Sequence, residues 1–107
     1  MVIYMKDFYQ IIIITKNEIN INNDNYLLIS NNIDLLDNIQ IKYNDIVVSF
    51  NYLIFDDVNL ISNFKETNIL HENKIPITNF YNATSIENIF YSNNILNTIL
   101  DIENEEI

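Results

Sequence analysis

An antiparallel β-sheet of about five strands, built from a meander and a hairpin and covered by a C-terminal amphipathic helix, is the α+β architecture this sequence predicts. Three observations predict it. The stretch from Ile39 to Phe55 sorts apolar from polar residues on both arms of one hairpin; the stretch from Phe8 to Ser30 repeats that logic twice; and Thr84 to Glu87 carries a helix-start signature ahead of an apolar stripe.

Taken in order, the first region holds three alternating runs. With Lys16-Asn17 and Asn23-Asp24 as turns, Ile12, Ile14, Ile19, Ile21, Tyr26 and Leu28 share one face, and Asn20, Asn22 and Asn25 lie on the other beside Ile11, Ile13 and Leu27. Side chains alternate across a strand, so this pattern predicts a three-stranded antiparallel meander. Residues 31 to 38 alternate poorly, and a single helical turn capped by Ser30 or Asn31 is expected there.

In the central stretch a two-residue turn at Asn44-Asp45 sets Tyr43 opposite Ile46, Ile41 opposite Val48 and Ile39 opposite Phe50. Lys42 then faces Val47, and Gln40 faces Ser49. A slip of one residue would invert both faces, so the pattern itself specifies the register. Asn and Asp tolerate the positive φ this turn requires, and the chain contains no glycine. The second arm continues through Tyr52 and Ile54, long enough to need another partner, which places it centrally with its apolar face as the seat of the C-terminal helix.

After Phe55 the alternation breaks at Asp56-Asp57. Asp57 is positioned to cap a short helix carrying Val58, Ile61 and Phe64. Pro76, the single proline, biases Ile75 toward extended backbone and confines any strand there to an edge. Thr84-Ser85-Ile86-Glu87 matches a capping box. The stripe Ile86, Ile89, Phe90, Leu96, Ile99, Leu100, interrupted at Asn93-Asn94, predicts a helix of about 18 residues, about 27 Å long. Residues 101 to 107 place acids at a helix C-terminus, where the macrodipole disfavours negative charge, so that tail is expected to fray. The whole chain, residues 1 to 107, is expected to form one domain.

Composition narrows function. Ile and Asn make up 44 of the 107 residues, the mark of AT-rich coding sequence. Such coding should supply Lys with Asn, yet there are five Lys, no Arg and 21 Asn. The net charge of −10 therefore reflects missing bases, because 15 acids are close to an ordinary share. A phosphate-binding groove needs Lys or Arg, which argues against direct binding of nucleic acid or an anionic membrane. A basic protein partner fits instead. With neither a membrane-length apolar run nor a leader pattern, a cytoplasmic location, the host bacterial cytoplasm for a phage-encoded chain, is expected.

Motifs for chemistry are sparse. Absent Cys removes thiolate chemistry, and absent Gly removes the phosphate-cradling loops. His71 with Glu72, Asp56 and Asp57 could hold a divalent metal, but the spacing matches no ligand motif and a solvated loop is the expected reading. Asn82-Ala83-Thr84 fits a glycosylation acceptor, more simply explained by abundant Asn. Tyr4, Tyr9, Tyr81 and Tyr91 suit half-buried sheet positions better than an interface. No catalytic, cofactor or metal residues are assigned, and an enzyme is not expected.

The acids are uneven: residues 1 to 54 hold six acids and three lysines, net −3, and residues 55 to 107 hold nine acids and two lysines, net −7. Asp56, Asp57, Glu66, Glu72, Asp101, Glu103, Glu105 and Glu106 are accordingly the expected partner-binding residues. The function expected is a small acidic inhibitor of a basic, nucleic-acid-handling protein such as a nuclease effector, of the phage anti-CRISPR or anti-defence kind. An immunity protein or antitoxin against a nuclease toxin is the alternative, and a viral assembly subunit the weaker one. The assembly reading predicts homo-oligomers, and a homodimer is the partner option beside a basic protein.

Overall fold

Asn44 and Asp45 adopt φ of 50° and 63°, the backbone of a type I′ turn. The strands they join pair in the register written in the sequence, with Tyr43 opposite Ile46, Ile41 opposite Val48, Lys42 opposite Val47 and Gln40 opposite Ser49. The Phe50 amide donates to the Ile39 carbonyl at 2.8 Å, extending the ladder. The structure is a computed structural model and describes residues 5 to 105. In chain order the strands are β1 (Phe8–Ile14), β2 (Tyr26–Ile29), β3 (Asp34–Leu35), β4 (Gln40–Tyr43), β5 (Ile46–Phe55), β6 (His71–Glu72), β7 (Ile75–Pro76) and β8 (Ile89–Tyr91), followed by the helix α1 (Ile95–Glu103). The fold is α+β, with a mixed sheet of six strands in the order β2-β1-β5-β4-β3, β8 also on β5, and a separate β6-β7 pair.

β5 is central, as its length demands. One edge carries β1 from Phe8 opposite Ser49 to Ile14 opposite Phe55. The other edge is shared, with β4 on Ile46–Ser49 and β8 on Leu53–Phe55.

The expected meander does not form. β1 pairs with both β2 and β5 in parallel. Ile11, Ile12, Ile13 and Ile14 are all fully buried, so β1 is covered on both faces, the usual situation of a parallel strand. Such burial is worth about 1.5–3 kcal/mol for each side chain. The eleven residues between β1 and β2 form the long crossover a parallel pair needs. Ile19 and Ile21 lie within it as partly buried plugs against the core, not as a middle strand.

The sheet must also curl. Ile29 lies level with Ile14 and so with Phe55, whereas Asp34 lies level with Lys42 and so with Val47. On a flat sheet those positions would be four strand spacings and eight residues apart, about 32 Å. The five residue steps from Ile29 to Asp34 reach at most about 18 Å. Curling closes the gap, and one core cluster fills the concave side: Tyr9, Ile12, Ile14, Ile41, Val48, Phe50, Leu53 and Phe55 among others.

That cluster exposes a second departure. Val48 and Phe50 share it with Leu53 and Phe55, while Ile54, with Tyr52 beside it, belongs to the cluster under α1. Alternation therefore slips by one residue at Asn51. The paired strand slips at the same level, since Tyr9 goes with Ile12 and Ile14 while Ile11 and Ile13 go with Ile54. The face running from Ile39 is thus not the seat of the helix. Its buried part is covered by Leu60, Ile61, Phe64 and Ile69, and Ile39 and Ile46 themselves are exposed.

The helix starts later than the capping box implies. Thr84 begins no helix: its hydroxyl accepts from the Ile86 amide at 3.2 Å and lies 2.7 Å from the Ile89 carbonyl, closing a turn that returns the chain into β8. Asn94 is the N-cap of α1, its side-chain oxygen accepting from the Asn97 amide at 3.2 Å. Nine helical residues span about 14 Å. The phase shifts too, since Ile95, Thr98, Ile99 and Ile102 are buried and Leu96 and Leu100 face outward.

Residues 31 to 38 contain β3 in place of a helical turn, with Leu35 buried. Asp57 does cap a short 3-10 turn, Val58–Leu60, and a second, Phe64–Glu66, follows. Asn63 ties that segment to β3, accepting from the Leu35 amide at 2.8 Å and donating to the Leu35 carbonyl at 2.7 Å. Pro76 sits in the two-stranded β6-β7 sheet, the edge position expected of it.

Candidate functional site

The expected partner-binding acids divide by what holds them. The Asp56 carboxylate accepts from the Thr15 hydroxyl at 2.7 Å and from the Asn17 amide group at 2.8 Å. Asp57 accepts from the Asn59 amide at 2.9 Å as N-cap of the first 3-10 turn. Both acids are half-buried and serve the fold. Glu66 is exposed on the second 3-10 turn and Glu72 is exposed on β6. Asp101 and Glu103 belong to the end of α1, and Glu105 lies just past it; Glu106 falls outside the described residues.

The C-terminus of α1 is the place where charge and local structure conflict. The last helical carbonyls concentrate partial negative charge, which cations normally offset. No basic residue occupies the last turn, and Asp101, Glu103 and Glu105 gather there. The chain closes the helix through backbone bonds: the Asn104 amide reaches the Leu100 carbonyl at 2.9 Å and the Glu105 amide reaches the Ile102 carbonyl at 3.1 Å. Glu105 takes φ of 54°, a left-handed cap made without glycine. Buried Ile102 holds this turn on the sheet. Burial, and next the nearby Glu103 carboxylate, push the Tyr26 phenol above its ordinary pKa.

On the same helix Leu96 and Leu100, four residues apart and each 54% exposed, form a short apolar stripe on the outer face. Sequence reasoning assigned both to the core. The signal for their true orientation was Asn94, whose capping role fixes the phase.

His71 does not join Asp56 and Asp57. Its ring centroid lies 5.1 Å from that of Phe64, and Nδ1 lies 3.1 Å from the Ile69 carbonyl. Among the described residues no group of three or more His, Asp or Glu is placed to hold a metal ion. In the glycosylation-like triplet, Asn82 is half-buried at φ of 68° and Thr84 is buried. Tyr9 is buried, Tyr81 and Tyr91 are half-buried, and Tyr4 lies outside the described residues.

Among the open clefts on the described surface, one of about 740 Å³ runs beside Phe64, Lys65, Glu66, His71 and Lys74. Another, of about 640 Å³, lies where β5 passes from β4 to β8 and is lined by Asn38, Asn51, Asn79 and Asn88 among others. The Asn88 amide donates to the carbonyls of Asn38 at 2.6 Å and Asn51 at 2.8 Å, bridging the step in β5. Asn79 accepts from the Tyr81 and Ala83 amides. These asparagines therefore hold the fold. No helix among the described residues is long and apolar enough to cross a membrane.

Comparison of the chain with protein-family models, with curated proteins and with solved structures finds no match in any of the three.

Proposed function

We propose that the protein is a small, acidic, non-enzymatic inhibitor that docks on a basic nucleic-acid-handling protein, a nuclease or an effector complex, and occludes its phosphate-binding surface. The observation that carries this reading is the end of α1. Three carboxylates collect at the negative pole of a helix with no base in its last turn, beside the outward Leu96 and Leu100. Acids there cost helix stability, typically about 0.3–1 kcal/mol each, and a departure from local consistency marks a place where function competes with folding. Lysines and arginines of a partner would relieve that conflict. The leucine stripe would supply the apolar centre that charge alone lacks, since charge sets encounter rate and orientation more than affinity.

The reading narrows the binding residues to Asp101, Glu103, Glu105, Leu96 and Leu100, with Glu66 and Glu72 available elsewhere and Asp56 and Asp57 committed to the fold. Titrating the protein into cleavage reactions of purified RNA-guided nucleases and DNase toxins tests it. Inhibition of at least one enzyme is expected, weakened by added salt, by Leu96→Asp, and by Glu103→Lys with Glu105→Lys, the last slowing association by about tenfold or more. Absence of inhibition across the panel at low ionic strength overturns it.

A further inference from the structure

A second surface, remote in sequence from α1 and neutral where the end of α1 is acidic, lies on the β6-β7 hairpin. Asn73 and Lys74 form its turn with φ of 51° and 65°, repeating the geometry of Asn44-Asp45. His71 pairs with Pro76 and Glu72 with Ile75, and the Ile77 amide donates to the Leu70 carbonyl at 3.0 Å, so Leu70 lies opposite Ile77. Pro76 is buried, and His71, though exposed, lays its ring beside Phe64, so this pair marks the side of the hairpin turned toward the rest of the fold. By alternation Leu70, Glu72, Ile75 and Ile77 share the outer face. Leu70 is 63%, Ile75 58% and Ile77 54% exposed, and Phe80, three residues on, is 92% exposed. A two-stranded hairpin gains little stability alone in water, and clustered exposed apolar side chains of this kind mark an interaction surface.

Charge identifies the occupant. From Phe64 to Phe80, Lys65 and Lys74 balance Glu66 and Glu72, a net charge of zero, so the remainder of the chain carries the whole −10. Two copies of so acidic a chain repel one another through most of their surface, and this neutral apolar face is where they can approach. A basic partner gains no such advantage here. We infer that the outer face of the β6-β7 hairpin is a self-association surface that joins two copies of the chain about a two-fold axis. In such an isologous contact each copy offers the same patch, with Leu70, Ile75 and Ile77 packing across the axis. The inference stands independently of the inhibitor reading, because it uses neither α1 nor its acids.

Sedimentation equilibrium of the full chain, over a range of protein and salt concentrations, tests it. A monomer–dimer equilibrium is expected, and it should tighten as salt screens the repulsion between the two copies, opposite to the salt response of a basic partner. Ile75→Asp, on an exposed side chain, should raise the dimer dissociation constant at least about tenfold, and Ile46→Asp, which adds the same charge at an exposed position of β5, should leave it unchanged. Leu70→Asn and Ile77→Asn should each weaken the dimer too with the far-UV circular dichroism unchanged, which separates loss of the contact from loss of the fold. A monomer throughout, or a dimer indifferent to Ile75→Asp, overturns the inference.

Discussion

The hydroxyl of Thr15, at the end of β1, donates to the carboxylate of Asp56, at the end of β5, across 2.7 Å. Thr15 is fully buried, and its oxygen also accepts from the Asn17 amide at 3.0 Å, so the contact fixes where the crossover leaves the sheet. A hydrogen bond to a charged group is typically worth about 1.5–3 kcal/mol. Asp56→Ala is therefore expected to lower the denaturant midpoint by a loss of about that size with an unchanged m value. The same substitution should leave partner inhibition intact at temperatures where the variant stays folded.

The one-residue slip at Asn51 predicts an asymmetry between two isoleucines that alternation would treat alike. Ile54, fully buried under α1, should cost about 2–5 kcal/mol when truncated to Ala. Ile39→Ala, at a position 49% exposed, should stay within about 0.5 kcal/mol, as surface substitutions usually do. Hydrogen exchange on α1 separates the effects further: Ile54→Ala should accelerate it and Ile39→Ala should not.

Tyr26 supplies a pH dependence. Its pKa in the folded chain is raised from 10.0 by burial first and by Glu103 second. The folded state therefore holds this proton more tightly than the unfolded state does. Its contribution is fully present below the ordinary tyrosine pKa and is lost as pH rises past it through the folded value. Unfolding measured at rising alkaline pH should show stability falling less steeply in Tyr26→Phe than in the parent chain. Equal slopes would remove Tyr26 as a source of the alkaline loss.

The residues that serve the proposed binding surfaces differ in how readily they could be read. The acids at the end of α1 and the shortage of bases are composition, visible directly. Leu96 and Leu100 pointing outward depends on where the helix begins, which the capping-box pattern at Thr84 misplaced. Thr84 satisfied the local pattern, yet its hydroxyl is used at the Ile86–Ile89 turn, and Ile89 and Phe90 gain more from strand pairing with Leu53 and Ile54. The outward apolar face of β6-β7 had a local signal in the alternation about Asn73-Lys74, parallel to that about Asn44-Asp45.

Sequence alone determined what short-range physics controls. The Asn44-Asp45 turn and its four paired positions, the central place of the long strand, the Asp57 cap and the edge position of Pro76 all follow from φ preferences, alternation and hydrogen bonds between near neighbours. Tertiary structure alone decided the rest. Alternation records which face a side chain takes but not the direction of the neighbouring strand, so the parallel pairing of β1 with β2 and β5 was open until the core closed around Ile11 to Ile14. The slip at Asn51 was equally invisible locally, because it exists to let the curled sheet serve two cores, one filled by Leu60, Ile61 and Phe64 and the other by α1. The fate of Asp56 was settled the same way, by Thr15 and Asn17 arriving from roughly 40 residues earlier in the chain.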